Sequence, residues 1–160
     1  MASGLMQGRR GLVMGVANDK SIAWGIARAC AAQGAEMAFS YQGEQLRKRV
    51  DPLAASIGVR HVLPCDVGDE DSLDALFATL EREWGGLDFL VHAIGYSDKD
   101  ELRGRYVDTT RGNFRTTMDV SVYSFTAAAR RAERLMGAGG AMLTLTYYGA
   151  EKVMPHYNVM

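Results

Sequence analysis

Residues 12–44 read LVMGVANDKSIAWGIARACAAQGAEMAFSYQGE. A short apolar run breaks at Gly15 into a polar turn. A stretch of small and apolar residues follows and stops at Gly34, and a second apolar run closes at Tyr41. The runs are too short and too continuous for amphipathic helices, and the segment between them is too long for a hairpin. The reading is therefore strand, turn, helix, strand, which makes the two strands parallel neighbours.

The same alternation continues to the end of the chain. Strands are expected at Gly11–Val16, Glu36–Tyr41, Val59–Cys65, Leu87–Ile94 and Ala141–Tyr147. Helices are expected at Ser21–Gln33, at Glu44–Ile57 with a kink or split at Pro52, and at Glu70–Trp84. The last helix should run unbroken over Thr110–Met136, with Gly34 and Gly137 as terminating glycines. In the third helix Leu73, Leu76, Phe77, Leu80 and Trp84 share one face, which marks it as packed on a core. Gly95–Asp108 reads as a polar connection. Strands separated by helices imply an α/β fold, a doubly wound parallel sheet covered on both faces. No repeat or linker divides residues 1–160, so a single domain is expected.

Composition narrows the class. The chain has 160 residues, 48% hydrophobic and 23% charged, with a net charge of −1. No global basic field would recruit nucleic acid or an anionic membrane. No apolar run approaches the ~18 residues that span a bilayer, and the run after Arg9-Arg10 is a first strand rather than an export leader. Cys30 and Cys65 do not form a disulfide framework and are expected to be reduced, as in the cytoplasm. His61, His92 and His156 are scattered with no metal-ligand spacing.

The turn at Gly15 departs from the usual G-x-G-x-x-G dinucleotide fingerprint. The next glycine is Gly25, and Ala17 stands where a second one is usual. The physics can nevertheless operate. Gly15 lets the backbone turn close to a ligand, and Ser21 and Ile22 present amides at a helix start whose dipole favours phosphate. A plain turn with an N-cap serine reads equally well from this stretch alone. "CDVGD" (65–69) closes the third strand. There Asp66 can accept from an adenine amino group and the Val67 amide can donate to the ring, whereas Asp69 reads as a helix cap. "VHAIG" (91–95) leaves small residues at a strand's carboxyl end, where a ribose and nicotinamide have room. His92 reads as structural.

Six stretches carry a resemblance: GVANDKSIAWGIA (15–27), YQGE (41–44), CDV (65–67), VHAIG (91–95), YSF (123–125) and LTLTYYGAEKVMPHYNVM (143–160). Together they resemble the bacterial NADH-dependent enoyl-acyl carrier protein reductases, a divergent branch of the short-chain dehydrogenase/reductases. The likeness runs from about residue 8 to the end, and the stretched glycine turn is itself a mark of that branch. The resemblance implies a Rossmann-like fold and reduction of an enoyl thioester on acyl carrier protein in fatty acid synthesis. It implies Tyr157 as the catalytic tyrosine and Tyr147 as a second active-site tyrosine. Cofactor contacts would be Gly15, Ser21, Ile22, Gln42, Asp66, Val67 and Ile94, and a substrate contact Ser97. The family forms homotetramers, in part through the helix expected over Thr110–Met136.

In the family motif Y-x-x-M-x-x-x-K a lysine follows the tyrosine. Here Tyr157 and Met160 are present and the sequence given stops before that position. The expectation is therefore an amino-terminal part of such an enzyme, truncated after the fifth strand. Gln42 stands where NAD-specific folds carry an acid. It can bond the adenosine portion without repelling a 2′-phosphate, and Arg47, Lys48 and Arg49 lie nearby. NADH is expected ahead of NADPH, with weaker discrimination than a carboxylate provides. Two alternatives remain open at this point. One is a classical short-chain reductase acting on a 3-ketoacyl or other carbonyl, with Thr144 in the place of its serine. The other is a nucleotide-binding module without turnover.

Overall fold

In a computed structural model, which describes residues 4–160, five parallel strands form one sheet in the order β3–β2–β1–β4–β5. They are β1 (Arg10–Met14), β2 (Glu36–Tyr41), β3 (His61–Pro64), β4 (Phe89–His92) and β5 (Ala141–Thr144). The chain starts in the middle of the sheet, winds outward through β2 and β3, then crosses back to β4 and β5. The reversal lies between β1 and β4, where Leu12 pairs with Leu90 and Met14 with His92. Their carboxyl ends diverge into crossovers on opposite faces, which opens a crevice there.

Alternation along the strands divides the core into two layers. Leu12, Met14 and Leu90 pack with Leu73, Leu76 and Leu80 of α3 (Glu70–Trp84) and with Ala127, Ala128 and Ala132 of α5 (Ser124–Leu135). Val13, Phe39 and Val91 pack on the other face with Ala23, Trp24 and Ala27 of α1 (Ile22–Ala32) and Val50 and Ala54 of α2 (Gly43–Ser56). The five residues expected on the inner face of α3 are its five buried residues. Arg131, buried on α5, ties the two helices of its layer together. It donates to Asp74 and to the Glu70 carboxylate, each at 2.6 Å.

Helix ends follow local chemistry. After α1 the amides of Gly34 and Ala35 return to the carbonyls of Ala31 and Cys30, with Gly34 at φ 89°, the Schellman arrangement. The side chain of Asp69 caps α3 by accepting from the Asp71 amide at 3.0 Å.

Several elements differ from the sequence reading. Pro52 does not split its helix, since α2 is continuous through it. Lys48 and Pro52 are both exposed, so water can satisfy the carbonyl that proline leaves without an N–H partner. The helix expected over Thr110–Met136 is unbroken from Arg111 to Leu135, but a π turn (Asp119–Tyr123) widens it between α4 (Arg111–Met118) and α5. Gly137 is not the left-handed stop. The helix closes at Met136, and the glycine with positive φ is Gly139, whose amide returns to the Met136 carbonyl at 2.8 Å. Strands β1, β3, β4 and β5 are shorter than their apolar runs. Val16, Val59 and Leu87 are buried beside the sheet outside its strands, and Cys65 adds one bond beyond β3, its amide donating to the Tyr41 carbonyl at 2.8 Å, because burial sets the apolar run and pairing sets the strand.

β5 is the sheet edge beyond β4, and all four of its residues are exposed. Met142, Leu143 and Leu145 retain 37%, 48% and 38% of their accessible surface. A parallel edge with uncovered apolar side chains is a template for another chain. Residues 1–160 expressed alone are expected to self-associate. Light scattering and calorimetry check this; a monodisperse, cooperatively melting monomer is the contrary result.

Candidate functional site

A cleft of about 640 Å³ opens at the carboxyl ends of the central strands. Gly15, Val16 and Ala17 line it from the β1 turn, and Ala93, Ile94 and Gly95 from the end of β4. Gln42 follows β2, and Asp66, Val67 and Gly68 follow β3. Gly15 is required by two features. Its φ is 99°, and a Cβ there would overlap the carbonyl of Ala93. The crevice is narrow at its floor because this glycine allows β1 and β4 to leave the sheet side by side, with the Ala93 amide bonded to the Met14 carbonyl at 3.1 Å.

Six of the seven expected cofactor contacts relate to this cleft in definite ways. Gly15, Gln42, Asp66, Val67 and Ile94 line it directly. Ser21 joins it through Ala17, whose amide donates to the Ser21 hydroxyl at 3.4 Å, while that hydroxyl donates to the Asn18 carbonyl at 2.7 Å. Ser21 sits at the N-cap position of α1 but makes no side-chain bond to the helix, so its hydroxyl does not occupy a first-turn amide, although the Trp24 amide donates to the Ser21 carbonyl at 3.0 Å. Ile22, the first residue of α1, is exposed and lies outside the lining.

The acceptors are held by their neighbours. Asp66 Oδ1 accepts from the Gly68 amide and Oδ2 from Gln42 Nε2, both at 2.9 Å. The Asp66 amide donates to the Ser72 hydroxyl at 2.9 Å. Cys65, in the same lining, is buried, and burial pushes its thiol up to about 11. It is a protonated, unreactive thiol at neutral pH.

Ser97 follows a different course. Its side chain is 8% exposed and takes part in a polar cluster, accepting from Thr117 Oγ1 at 2.9 Å and from Asn113 Nδ2 at 3.1 Å. Its hydroxyl is engaged inside the protein, while the adjacent Gly95 and Tyr96 line the cleft. Tyr147 and Tyr157 do meet, with ring centroids 5.5 Å apart and planes at 52°. Neither lines the cleft. The link runs through Met160, whose carbonyl accepts from the Tyr147 hydroxyl at 3.2 Å and whose methyl end lies beside Gly95.

His92 is structural, as its sequence context suggests. It is fully buried, with Nε2 at 2.7 Å from the Ser124 hydroxyl and Nδ1 at 3.4 Å from Thr144 Oγ1. Desolvation lowers its pKa and keeps it neutral. Among the described residues no cluster of His, Cys, Asp and Glu could hold a metal ion, and no helix is long and apolar enough to cross a membrane.

Three supports were not anticipated from the sequence. Ser72 holds the Asp66 backbone. Ser121, in the π turn, accepts from the Tyr96 amide at 2.9 Å and donates to the Tyr96 carbonyl at 3.0 Å, fixing the loop above the cleft. Asn113 and Thr117 hold Ser97. The available signal was serine inside a helical stretch, Ser121 and Ser124, since such hydroxyls often reach for backbone groups.

The sequence profile of the family described as Enoyl-(Acyl carrier protein) reductase matches residues 15–160. The chain is similar to enoyl-acyl-carrier-protein reductase (NADH) 1 of Rhizobium meliloti (strain 1021). Identity is 64% over 159 residues, covering 99% of this chain and 58% of the relative. In structure it is similar to the enoyl-(acyl-carrier-protein) reductase of Anaplasma phagocytophilum crystallised with NAD. The TM-score is 0.95 at 61% identity, over 99% of this chain and 61% of that one. It is also similar to the Bacillus cereus enoyl-acyl carrier protein reductase crystallised with NADP+ and indole naphthyridinone. There the TM-score is 0.95 at 45% identity, over 98% of this chain and 62% of that one. The chain thus spans about three-fifths of the length of these relatives.

Gly15→Ala is expected to destabilise the fold rather than merely weaken ligand binding. Forcing a side chain into this conformation costs about 1–3 kcal/mol before the overlap with Ala93 is added. In the full-length protein the melting temperature should fall by several degrees in calorimetry. An unchanged value would mean that the turn relaxes freely.

Proposed function

Because the chain belongs to the Enoyl-(Acyl carrier protein) reductase family, we propose that it is the nucleotide-holding domain of an enzyme that uses NADH to reduce the trans-2 double bond of an enoyl thioester on acyl carrier protein. The observation that carries this reading is the cleft at the β1–β4 switch point, floored by Gly15 and walled by Gln42, Asp66 and Val67. Its chemistry fits a dinucleotide. Small residues leave room for ribose and nicotinamide, Asp66 is an acceptor for an adenine amino group, and Val67 supplies an adjacent amide. The Ile22 amide at the start of α1 favours the pyrophosphate, whereas the Ser21 amide donates to the Asn18 carbonyl at 3.2 Å.

When bound, NADH would supply a hydride for the β-carbon of the enoyl thioester, and a proton from the Tyr157 hydroxyl or from water would complete the reduction at the α-carbon. Between these steps negative charge grows on the thioester oxygen. In this reading the Tyr157 hydroxyl is the donor to that oxygen, through a hydrogen bond that strengthens as the charge develops, so it acts on the transition state more than on the ground state. Tyr147, stacked obliquely on Tyr157, borders the acyl chain and restricts the ring's position. Ser97 contributes through its position in the loop after β4. Asp66, at the adenosine end, serves binding.

The rival reading, carbonyl reduction with Thr144 as a hydroxyl donor, is disfavoured by one contact: Thr144 Oγ1 is directed to His92 Nδ1 at 3.4 Å. A module without turnover is disfavoured by the pairing of the two tyrosines. We further propose a homotetramer built in part through α4, the π turn and α5, where Phe114, Met118, Val122 and Tyr123 are exposed. The proposed location is the cytoplasm.

In the full-length protein, Tyr157→Phe is expected to lower kcat with an enoyl thioester by about 10²–10³-fold, the usual cost of losing one such donor. NADH affinity should hardly change, and Tyr147→Phe should cost less. A deuterated cofactor reports whether hydride transfer limits turnover. Wild-type kcat in Tyr157→Phe under that condition would remove Tyr157 from the chemistry, and turnover of a 3-ketoacyl thioester in preference to the enoyl one would favour the carbonyl reading.

A further inference from the structure

The proposed chemistry needs the Tyr157 hydroxyl in one place. The ring is 47% exposed and rests obliquely on Tyr147, and among the described residues none hydrogen-bonds its hydroxyl. The ring is therefore aimed by the backbone that carries it. That backbone is constrained on both sides. His156, immediately before Tyr157, has φ 62°, the one positive value outside glycine among the described residues. A residue with a β-carbon stays there only where its surroundings over-determine the conformation.

Asn158, immediately after Tyr157, supplies that determination. It is half-buried, and its Nδ2 donates to the Glu101 carbonyl at 3.0 Å and to the Arg103 carbonyl at 3.3 Å. Carbonyls only accept, so the amide is fixed with its NH2 group inward and one hydrogen for each partner. The receiving loop is itself anchored to α4. Glu101 accepts from the Thr110 amide at 2.9 Å and from the Thr110 hydroxyl at 2.8 Å. Thr110 is the N-cap of α4, and its hydroxyl accepts from the Asn113 amide at 3.1 Å. The Asn113 side chain in turn accepts from the Asp98 amide at 2.9 Å and donates to Ser97. The loop that leaves the cleft at Gly95 and Tyr96 is thus held to one helix at 97–98 and at 101, and Asn158 fastens the Tyr157 segment to that same loop.

Resting on the enoyl-reductase reading above, we infer that Asn158 is a positioning residue for Tyr157. It latches the tyrosine's backbone to the loop after β4, so that the hydroxyl keeps a fixed place relative to the cleft. It acts on the reaction through Tyr157 alone.

The test compares full-length wild type, Asn158→Ala, Tyr157→Phe and the double variant. Hydride transfer to an enoyl thioester is followed in a single turnover, and NADH binding by calorimetry. A misplacement of about 1 Å can cost about 100-fold, so Asn158→Ala should slow hydride transfer about 10–100-fold. NADH affinity should hardly change. In the Tyr157→Phe background the same substitution should cost less than about twofold, because the hydroxyl that the latch places is already gone. A loss in that background as large as in the wild type makes Asn158 merely structural and overturns the inference. So does a wild-type rate in Asn158→Ala. A wild type that reduces no enoyl thioester overturns the functional reading, and the inference with it. If Asn158→Ala does not fold, Asn158→Asp, which keeps the size of the side chain and removes its donors, is read by the same comparison in the two backgrounds.

Discussion

The close approach of two strand ends governs the rest of this structure. β1 and β4 lie side by side up to Met14 and His92, and then their backbones continue past one another at Gly15 and Ala93. No side chain fits between them. From that contact the chain departs to α1 on one face and to the Gly95 loop near the other. The opening between these departures is the cleft. A parallel sheet whose winding reverses must open a crevice at this point, and the glycine sets how deep the crevice is and how closely its floor approaches a ligand.

Around that floor the polar groups form a hierarchy. The Ser72 hydroxyl holds the Asp66 backbone, the Gly68 amide holds its carboxylate, and that carboxylate in turn holds the Gln42 side chain. On the other side Ser121 holds Tyr96 by both its amide and its carbonyl. The π turn is the local device that makes this possible. Widening the helix at Asp119–Tyr123 directs Asp119 and Val120 to the cleft and Ser121 to the loop, while the Ser124 hydroxyl closes the turn on the Val120 carbonyl and meets His92.

The opposite end of the sheet is tied by charge. Asp88 accepts from the Arg10 amide at 2.8 Å and from Arg9 at 2.7 Å, and these contacts hold its carboxyl below the usual carboxylate range. Arg10 also reaches Glu36 and the Trp84 carbonyl. The amino ends of β1, β2 and β4 are therefore locked together, while their carboxyl ends are left to glycine, alanine and the ligand-facing side chains. Stability and binding are thus assigned to opposite ends of the same strands.

By itself the sequence determined the elements whose cause is local. Alternating apolar runs specified the five strands and their parallel arrangement, the 3.6-residue pattern specified the buried face of α3, and Asp69 and Gly34 marked helix ends. It also identified part of the cleft lining, because Gly15, Gln42, Asp66, Val67 and Ile94 all follow strand ends and strand ends converge in this topology. What it could not specify were effects set by distant partners or by solvent. The continuity of α2 through Pro52 depends on an exposed face. The π turn depends on the Tyr96 loop and His92 meeting Ser121 and Ser124. The inward turn of the Ser97 hydroxyl depends on Asn113 and Thr117, and the direction of the Gln42 amide depends on Asp66, 24 positions away. The first is settled by solvent and the others by hydrogen bonds between segments far apart in the chain, and neither leaves a periodic trace in the order of residues. Only the folded arrangement decides them.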